Sequence, residues 1–308
     1  MRQSGNPADW AEALLAQRPG LTLRRDEPMA RHTTFRIGGP ADVFVDAAEP
    51  EDAAAVARAC HACGAPLAVI GNGSNLLVRD GGIRGVVLRM GRGIARCRVQ
   101  GDTLHAQAGL TLAAAAKATA QAGLAGLTFA EGIPGTVGGA VAMNAGAYGG
   151  DMAQIVRSVD AVDARGNIHT LPVDALAYGY RRSMLLDGGW IVTAARFALT
   201  PGDTQALLAQ MRQNAAQRRA KQPLQCPSAG SAFKRPAGHF AAKLIDDAGL
   251  KGLRVGGAQV SPLHAGFIVS DGKATAADVL ALLALVRQRV LAHSGVALEP
   301  EIRILGED

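Results

Sequence analysis

Aromatic side chains are scarce. Seven Phe, three Tyr and two Trp make up only 4% of 308 residues, against 48% hydrophobic residues overall. The core must therefore be built from Ala, Val, Leu and Ile. The scarcity also removes the basic–aromatic interleaving on which single strands of nucleic acid stack. The net charge of +6 suits an anionic partner. The arginines are scattered, however, and a phosphate-bearing small molecule fits that charge as well as nucleic acid does. Long apolar runs are also missing: "TAADVLALLALV" is too short to span a bilayer and continues into Arg287. The opening residues, "MRQSGNPADWAEAL", show no apolar signal core, so a soluble intracellular protein is expected. Cysteine is limited to Cys60, Cys63, Cys97 and Cys226. "CHAC" has the spacing of a redox pair or of half a zinc site, but no second pair matches it, so no metal centre is expected. On the alanine-rich run "EDAAAVARACHAC" the pair reads as helix packing, and so few cysteines suit a reducing compartment.

Glycine is abundant and clustered, with 38 residues. Clusters mark backbone that turns sharply or approaches a ligand closely. Between them the pattern alternates helix and strand. Helices are expected at 9–17, 51–64, 111–123, 203–221, 240–248 and 275–293. Strands are expected at "ADVFVDA", "PLAVIG" and "GVVLRM", in short pieces through 155–199, near Val255 and Phe267, and in the terminal "LEPEIRIL". Residues 132–150 read as one glycine-rich loop. The fold class is α+β, with a glycine-rich cofactor half and a compact C-terminal α/β lobe.

Three glycine motifs could carry chemistry. In "VIGNGSNLLV" a strand runs into Gly71, Asn72, Gly73, Ser74 and Asn75. Such a loop lets backbone N–H groups face a pyrophosphate, although turn chemistry alone would also explain it. It is neither a dinucleotide fingerprint, since Leu76 replaces the last glycine, nor a P-loop. In "EGIPGTVGGAVAMNAGAYGG" (131–150) seven glycines accompany apolar Ile133, Val137, Val141 and Met143, which favours a ligand cradle over a flexible linker. The third, "HTTFRIGGPADVFV", reads by itself as a turn before a strand.

Taken together, "TTFRIGGPA", "GNGSNLLV" and "GIPGTVGGAVAMNAGAYG", in this order, resemble the FAD-binding half of the UDP-N-acetylenolpyruvoylglucosamine reductase (UDP-N-acetylmuramate dehydrogenase) family. "YGYRRS", "PSAGSAFKRP" and "LEPEIRILGE" extend the resemblance over about residues 31–307. It implies an FAD-binding fold of the vanillyl-alcohol-oxidase (p-cresol methylhydroxylase) type plus a C-terminal substrate-binding lobe. The implied division is a helical segment at 1–30, an FAD-binding region of two subdomains at 31–200, and a substrate-binding domain at 201–308 whose last strand returns to the active site. The implied cofactors are non-covalent FAD and NADPH. The implied reaction reduces the enolpyruvyl ether of a UDP-sugar in peptidoglycan precursor synthesis, and so serves cell-wall biogenesis, cell shape and division. The implied protein is a cytoplasmic monomer with no nucleic-acid or membrane partner.

Residue by residue, the resemblance gives the flavin loops as Gly71, Asn72, Gly73, Ser74, Asn75, Gly132, Ile133, Gly135, Thr136, Gly138, Asn144 and Gly146. Arg181 matches the arginine at the substrate carboxylate, a permanently charged bidentate partner. Glu301 matches the catalytic glutamate; beside a substrate carboxylate it can help only when protonated, as a hydrogen-bond donor. Ser231 matches the proton donor to the enolate carbon. By itself Ser231 would read first as a helix N-cap. A nucleophile is the remaining alternative, but "AGSA" is not a G-x-S-x-G elbow. Tyr180, Lys221, Arg235, His264 and Arg303 fall at substrate-binding positions. Two departures stand out: one branch of the family carries Asn where this chain has Arg235, and Gln near His264. The chain resembles the shorter subtype, which lacks an inserted substrate loop. Three other classes compete: an alcohol-oxidising flavoenzyme of the same fold, a serine acyl-transferase, and a nucleic-acid-binding protein.

Overall fold

The computed structural model describes residues 6–308. The chain forms two compact units, each assembled from separated stretches. The first comprises residues up to 25, 42–72 and 85–216; the second comprises 26–41, 73–84 and 217–308. They interleave along the sequence, whereas the implied division at residue 200 is contiguous.

In the first unit, a five-stranded antiparallel sheet runs in the order Ile168–Pro172, Val156–Val162, Ile191–Ala198, Thr103–Gln107, Cys97–Gln100. Its core is almost entirely aliphatic, as the composition requires, with Phe44, Phe129, Phe197 and Trp10 its aromatic members among the buried residues. A second sheet orders Leu23–Pro28, Pro40–Asp46, Ile83–Arg89 and Leu67–Ile70, the last two strands parallel. "ADVFV" (41–45) is buried at every position rather than alternately, because both faces of that strand are covered. The helix Pro50–Cys63 ends at Gly64 in a left-handed C-cap. Cys60 is buried on it, where burial pushes its thiol up to about 12, and Cys63 is exposed.

The glycine-rich stretch is not one loop. Val137–Met143 is a helix of seven residues capped by Asn144 in the left-handed region (φ +45°). Val137, Ala140 and Val141 bury one face, and Gly138 lets the helix approach the sheet: a Cβ there would lie 2.8 Å from the Ala108 Cβ. Core packing thus outweighs the helix cost of two glycines, roughly 1 kcal/mol each.

In the second unit, an antiparallel sheet orders Ser228–Ser231, Phe267–Ser270, Ala258–Val260 and Arg254–Val255. The helix Ala276–Ser294 packs on it, with a capping box between Thr275 and Asp278. The Thr275 and Gly257 N–H groups hold the Asp278 carboxyl below its usual range. "LEPEIRIL" is mostly irregular: only Arg303–Leu305 is a strand, paired in parallel with Leu76–Val78. Pro300 interrupts the ladder and keeps a single bridge to Phe233.

Candidate active site

The loop 71–75 is built from backbone. A Cβ on Gly71 would fall 2.4 Å from Thr136 Oγ1, and one on Gly73 (φ +62°) would fall 2.1 Å from the His32 carbonyl oxygen. Neither position can carry a side chain without displacing its neighbours. In the first unit this sets Gly71 against the start of the helix Val137–Met143, where Thr136 is buried and Gly139 is exposed. Gly132 turns with φ +74°, and the carbonyl of Gly135 accepts from Leu112 N–H. The carbonyl of Ala130 accepts from Ile133 N–H. Asn72 is exposed beside this wall.

The other end of the same helix carries the "YGYRRS" turn. Gly179 and Arg182 exchange both backbone hydrogen bonds, at 3.0 and 3.2 Å, so Tyr180 and Arg181 form the tip. Arg181 is left-handed (φ +55°), as are Ala177, Asn144 and Tyr148 nearby. Each such non-glycine residue costs about 1–2 kcal/mol. The turn is held by three side chains. Asn144 Nδ2 donates to the Gly179 carbonyl at 3.0 Å, and its Oδ1 accepts from Ala153 N–H at 2.9 Å. Ser183 Oγ donates to the Ala142 carbonyl at 2.6 Å. The Arg181 guanidinium donates to the carbonyls of Gly146 (3.1 Å) and Asn144 (3.4 Å) and lies 5.0 Å from the Tyr180 ring centroid. Gly146 sits in a two-residue hairpin pair, where a Cβ would meet Asp151 at 2.7 Å. Beneath the turn, the Tyr178 hydroxyl is buried with no hydrogen-bond partner among the described residues. Burial, with the Asp151 charge, pushes its ionisation upward.

In the second unit, the strand end at Ser231 lies beside the segment that carries Glu301. Ser231 ends the strand Ser228–Ser231, whose pairing slips by one residue: Ser228 faces Val269 and Ser231 faces Phe267. Gly230 (φ +77°) supplies the bulge, which re-aims the following side chain, and Ser231 is exposed. Glu301 N–H donates to the Ala232 carbonyl at 2.9 Å, placing Glu301 beside the residue that follows Ser231. Asn75 holds that segment twice: Nδ2 donates to the Glu301 carbonyl (3.0 Å), and the Asn75 carbonyl accepts from Arg303 N–H (3.0 Å). Thr34 Oγ1 donates to the Ser228 carbonyl at 2.7 Å, and Thr34 N–H to the Gly73 carbonyl at 3.2 Å. Asn75 and the backbone segments around Ser231, Glu301 and Arg303 are thus tied together. Glu299 points elsewhere and pairs with Lys234.

The remaining expected residues are dispersed in that unit. Lys221 is exposed at the end of the helix Thr204–Lys221. Arg235 is exposed, stacked on Phe240. His264 lies in a tight turn, where Nδ1 accepts from Gly266 N–H at 3.1 Å and the ring meets Phe267 edge-on. Burial lowers its affinity for a proton. The sequence reading missed Thr34, Tyr178, Ser183 and Gly230. A polar residue flanking a glycine motif was the one available signal, and it marks too many positions to single these out.

An FAD binding domain model matches residues 41–172, and the model for the UDP-N-acetylenolpyruvoylglucosamine reductase C-terminal domain matches 222–305. The UDP-N-acetylenolpyruvoylglucosamine reductase of Agathobacter rectalis is 48% identical, over 97% of this chain and 98% of that protein. That of Heliobacterium modesticaldum is 49% identical, over 92% and 90%. The solved reductase from Thermus caldophilus matches with TM-score 0.80 and 36% identity, covering 93% of this chain and all of that one. A 4-ethylphenol oxidase from Gulosibacter chungangensis, at TM-score 0.50 and 17% identity over 65% of this chain and 44% of that one, shares the fold alone. The fold is therefore the vanillyl-alcohol-oxidase-like FAD fold joined to the reductase C-terminal domain, and it defines an FAD-dependent oxidoreductase. The chain belongs to the UDP-N-acetylenolpyruvoylglucosamine reductase family.

The residues fit the implied flavin. A side chain at Gly71 is excluded by Thr136 Oγ1, and beside it Gly139 is exposed and carries no side chain, leaving a backbone N–H-rich stretch of the kind a dinucleotide's diphosphate requires. Gly71, Gly138 and Gly146 each also have a packing reason for lacking a side chain.

Proposed function

We propose that the protein is an NADPH-dependent reductase of UDP-N-acetylglucosamine enolpyruvate, forming UDP-N-acetylmuramate for peptidoglycan synthesis. It would work as a cytoplasmic monomer. Bound FAD, held by the 71–75 loop with Gly132, Ile133, Gly135, Thr136, Gly138, Asn144 and Gly146, supplies hydride chemistry between NADPH and the enolpyruvyl double bond. Addition at the terminal carbon pushes charge into the conjugated carboxylate. Arg181 answers that charge. Its guanidinium is fixed in advance by the Asn144 and Gly146 carbonyls, so little reorganisation accompanies the reaction. Ser231 gives its hydroxyl proton to the neighbouring carbon; an enolate is basic enough to accept it. Glu301 hydrogen-bonds the same carboxyl region from the adjoining segment. Tyr180, Lys221, Arg235, His264 and Arg303 bind the UDP-sugar.

The observation that supports this reading is the bond from Glu301 N–H to the Ala232 carbonyl, which brings the backbone segments carrying Ser231 and Glu301 together in a chain of this family. An alcohol oxidase would need no such pair, and an acyl-transferase would need a histidine beside Ser231. The test is the visible spectrum under anaerobic conditions. NADPH should bleach the flavin band, and UDP-N-acetylglucosamine enolpyruvate should restore it. Bleaching without recovery would reject the substrate; no flavin band after adding FAD would reject the reading.

A further inference from the structure

The motif "HTTFRIGGP" (32–40) reads in sequence as a turn before a strand, and the proposed reaction leaves it without a role. In the second unit it is braced on three sides. Thr33 Oγ1 donates to the Ile37 carbonyl at 2.9 Å, and Arg36, left-handed at φ +56°, returns its N–H to the Thr33 carbonyl at 3.1 Å. Phe35 and Ile37 are buried in one hydrophobic cluster with Ala229 and Ala232, the residues on either side of Gly230 and Ser231. His32 Nε2 meets Glu27 Oε1 at 2.7 Å, and both side chains are largely buried. Such bracing fixes the backbone of Thr34.

Thr34 joins two elements from that fixed backbone. Its N–H donates to the Gly73 carbonyl at 3.2 Å, and its Oγ1 donates to the Ser228 carbonyl at 2.7 Å. Ser228 begins the strand that bulges at Gly230 and ends at Ser231. Gly230 lies against the same glycine loop: a Cβ there would come 4.0 Å from the Ser74 carbonyl oxygen. A bulge leaves a residue outside the ladder, so its position depends on what holds its two ends. Beyond the bulge, Ala232 N–H donates to the Gly266 carbonyl at 2.8 Å; before it, Ser270 N–H donates to the Pro227 carbonyl at 2.9 Å. Both bonds lie within the sheet. The Thr34 hydroxyl adds a tie from the bulged strand to the loop 73–75.

We propose that Thr34 is a positioning residue for the second half-reaction: its hydroxyl holds the bulge so that Ser231 stands in a fixed place relative to the loop 73–75. This rests on the substrate reading above. The test compares Thr34→Ala with Thr34→Ser as FAD-loaded full-length protein, since the two variants differ by one hydroxyl. Recovery of the bleached flavin by UDP-N-acetylglucosamine enolpyruvate should slow about fivefold to fiftyfold in Thr34→Ala, within the ~10²-fold that a misplacement of about 1 Å can cost. Thr34→Ser should recover at close to the unmodified rate. FAD affinity and bleaching by NADPH should stay within about twofold in both, because the backbone bond to Gly73 survives the substitution. In the Ser231→Ala background, Thr34→Ala should slow recovery no further, because its effect runs through Ser231. Hydrogen exchange of the 228–233 amides should speed up about fivefold in Thr34→Ala and not in Thr34→Ser, the opening expected for one lost hydrogen bond. Unchanged recovery or unchanged exchange in Thr34→Ala, a Thr34→Ser variant as slow as Thr34→Ala, or further slowing in the Ser231→Ala background would overturn the proposal. So would an equal loss in bleaching or weaker FAD binding, which would make the turn a cofactor support. Failure of the substrate reading is separate: the unmodified enzyme would then show no recovery with the enolpyruvyl sugar, while the exchange comparison would still read the hydroxyl tie.

Discussion

Arg181 and the pair Ser231–Glu301 are held in place by opposite means. Arg181 stands on backbone that no regular element stabilises: a left-handed residue, flanked by left-handed Ala177, tied down by the side chains of Asn144 and Ser183 and by its own guanidinium. The segments that carry Ser231 and Glu301 are placed by main-chain register, through the Gly230 bulge and the Ala232–Glu301 bond. The contrast matches the roles proposed for each group. A guanidinium that receives developing charge gains from being locked in advance, and backbone strain of about 1–3 kcal/mol is tolerated where neighbours over-determine it. A proton donor needs a fixed Cα and a hydroxyl still able to rotate, which a strand end supplies.

The sharpest break of this comparison is Arg181→Ala against Arg182→Ala. Arg181→Ala should lower kcat about 10²–10³-fold, the usual effect of removing a charge-stabilising donor, while Arg182→Ala should stay within a few-fold. Equal losses would remove the special role of the strained position. Next is Asn75→Ala, which cuts the strut to the Glu301 carbonyl. It should cost about 1 kcal/mol of stability and roughly tenfold in kcat, with recovery of the flavin by substrate slowed more than its reduction by NADPH; recovery slowed no more than reduction would remove the strut's role. Smaller still is Tyr178→Phe. Removing a buried, unpartnered hydroxyl should leave the protein as stable or raise Tm by about 2–4 °C; a clear drop in Tm would mean the hydroxyl is bonded. The smallest effect is a pH dependence at His264. Burial favours its neutral form in the folded chain, so the unfolded chain binds the proton more readily. Stability from this group is full above the ordinary histidine value, near 6.5, and declines as pH falls below it. Thermal melts from pH 7.5 to 5 should show this decline, about 1–2 °C, and His264→Asn should lose it.

The sequence made some of this legible and hid the rest for physical reasons. Caps and periodic faces are local, so the helices Ala276–Ser294 and Pro50–Cys63 lie where Thr275, Asp278 and Gly64 place them. The helix Val137–Met143 was hidden because Gly138 reads as a breaker; its missing side chain makes room for Ala108, a contact thirty residues distant. Asn75 and Asn144 stand among glycines and read as flavin ligands. Their amides also brace Glu301 and the "YGYRRS" turn, from partners far along the chain. The motif around Ser231 was plain as a string, whereas its bulge depends on pairing with Phe267, which no local pattern encodes.

The central claim is the division of labour that leaves Ser231 with the second half-reaction alone. Rapid-mixing spectra of Ser231→Ala measure it directly, following flavin bleaching by NADPH and its recovery on adding UDP-N-acetylglucosamine enolpyruvate. Bleaching should proceed at the unmodified rate, and recovery should slow by about 10²–10⁴-fold, the range for loss of a proton donor. Recovery at the unmodified rate, or bleaching that slows with it, would contradict the account.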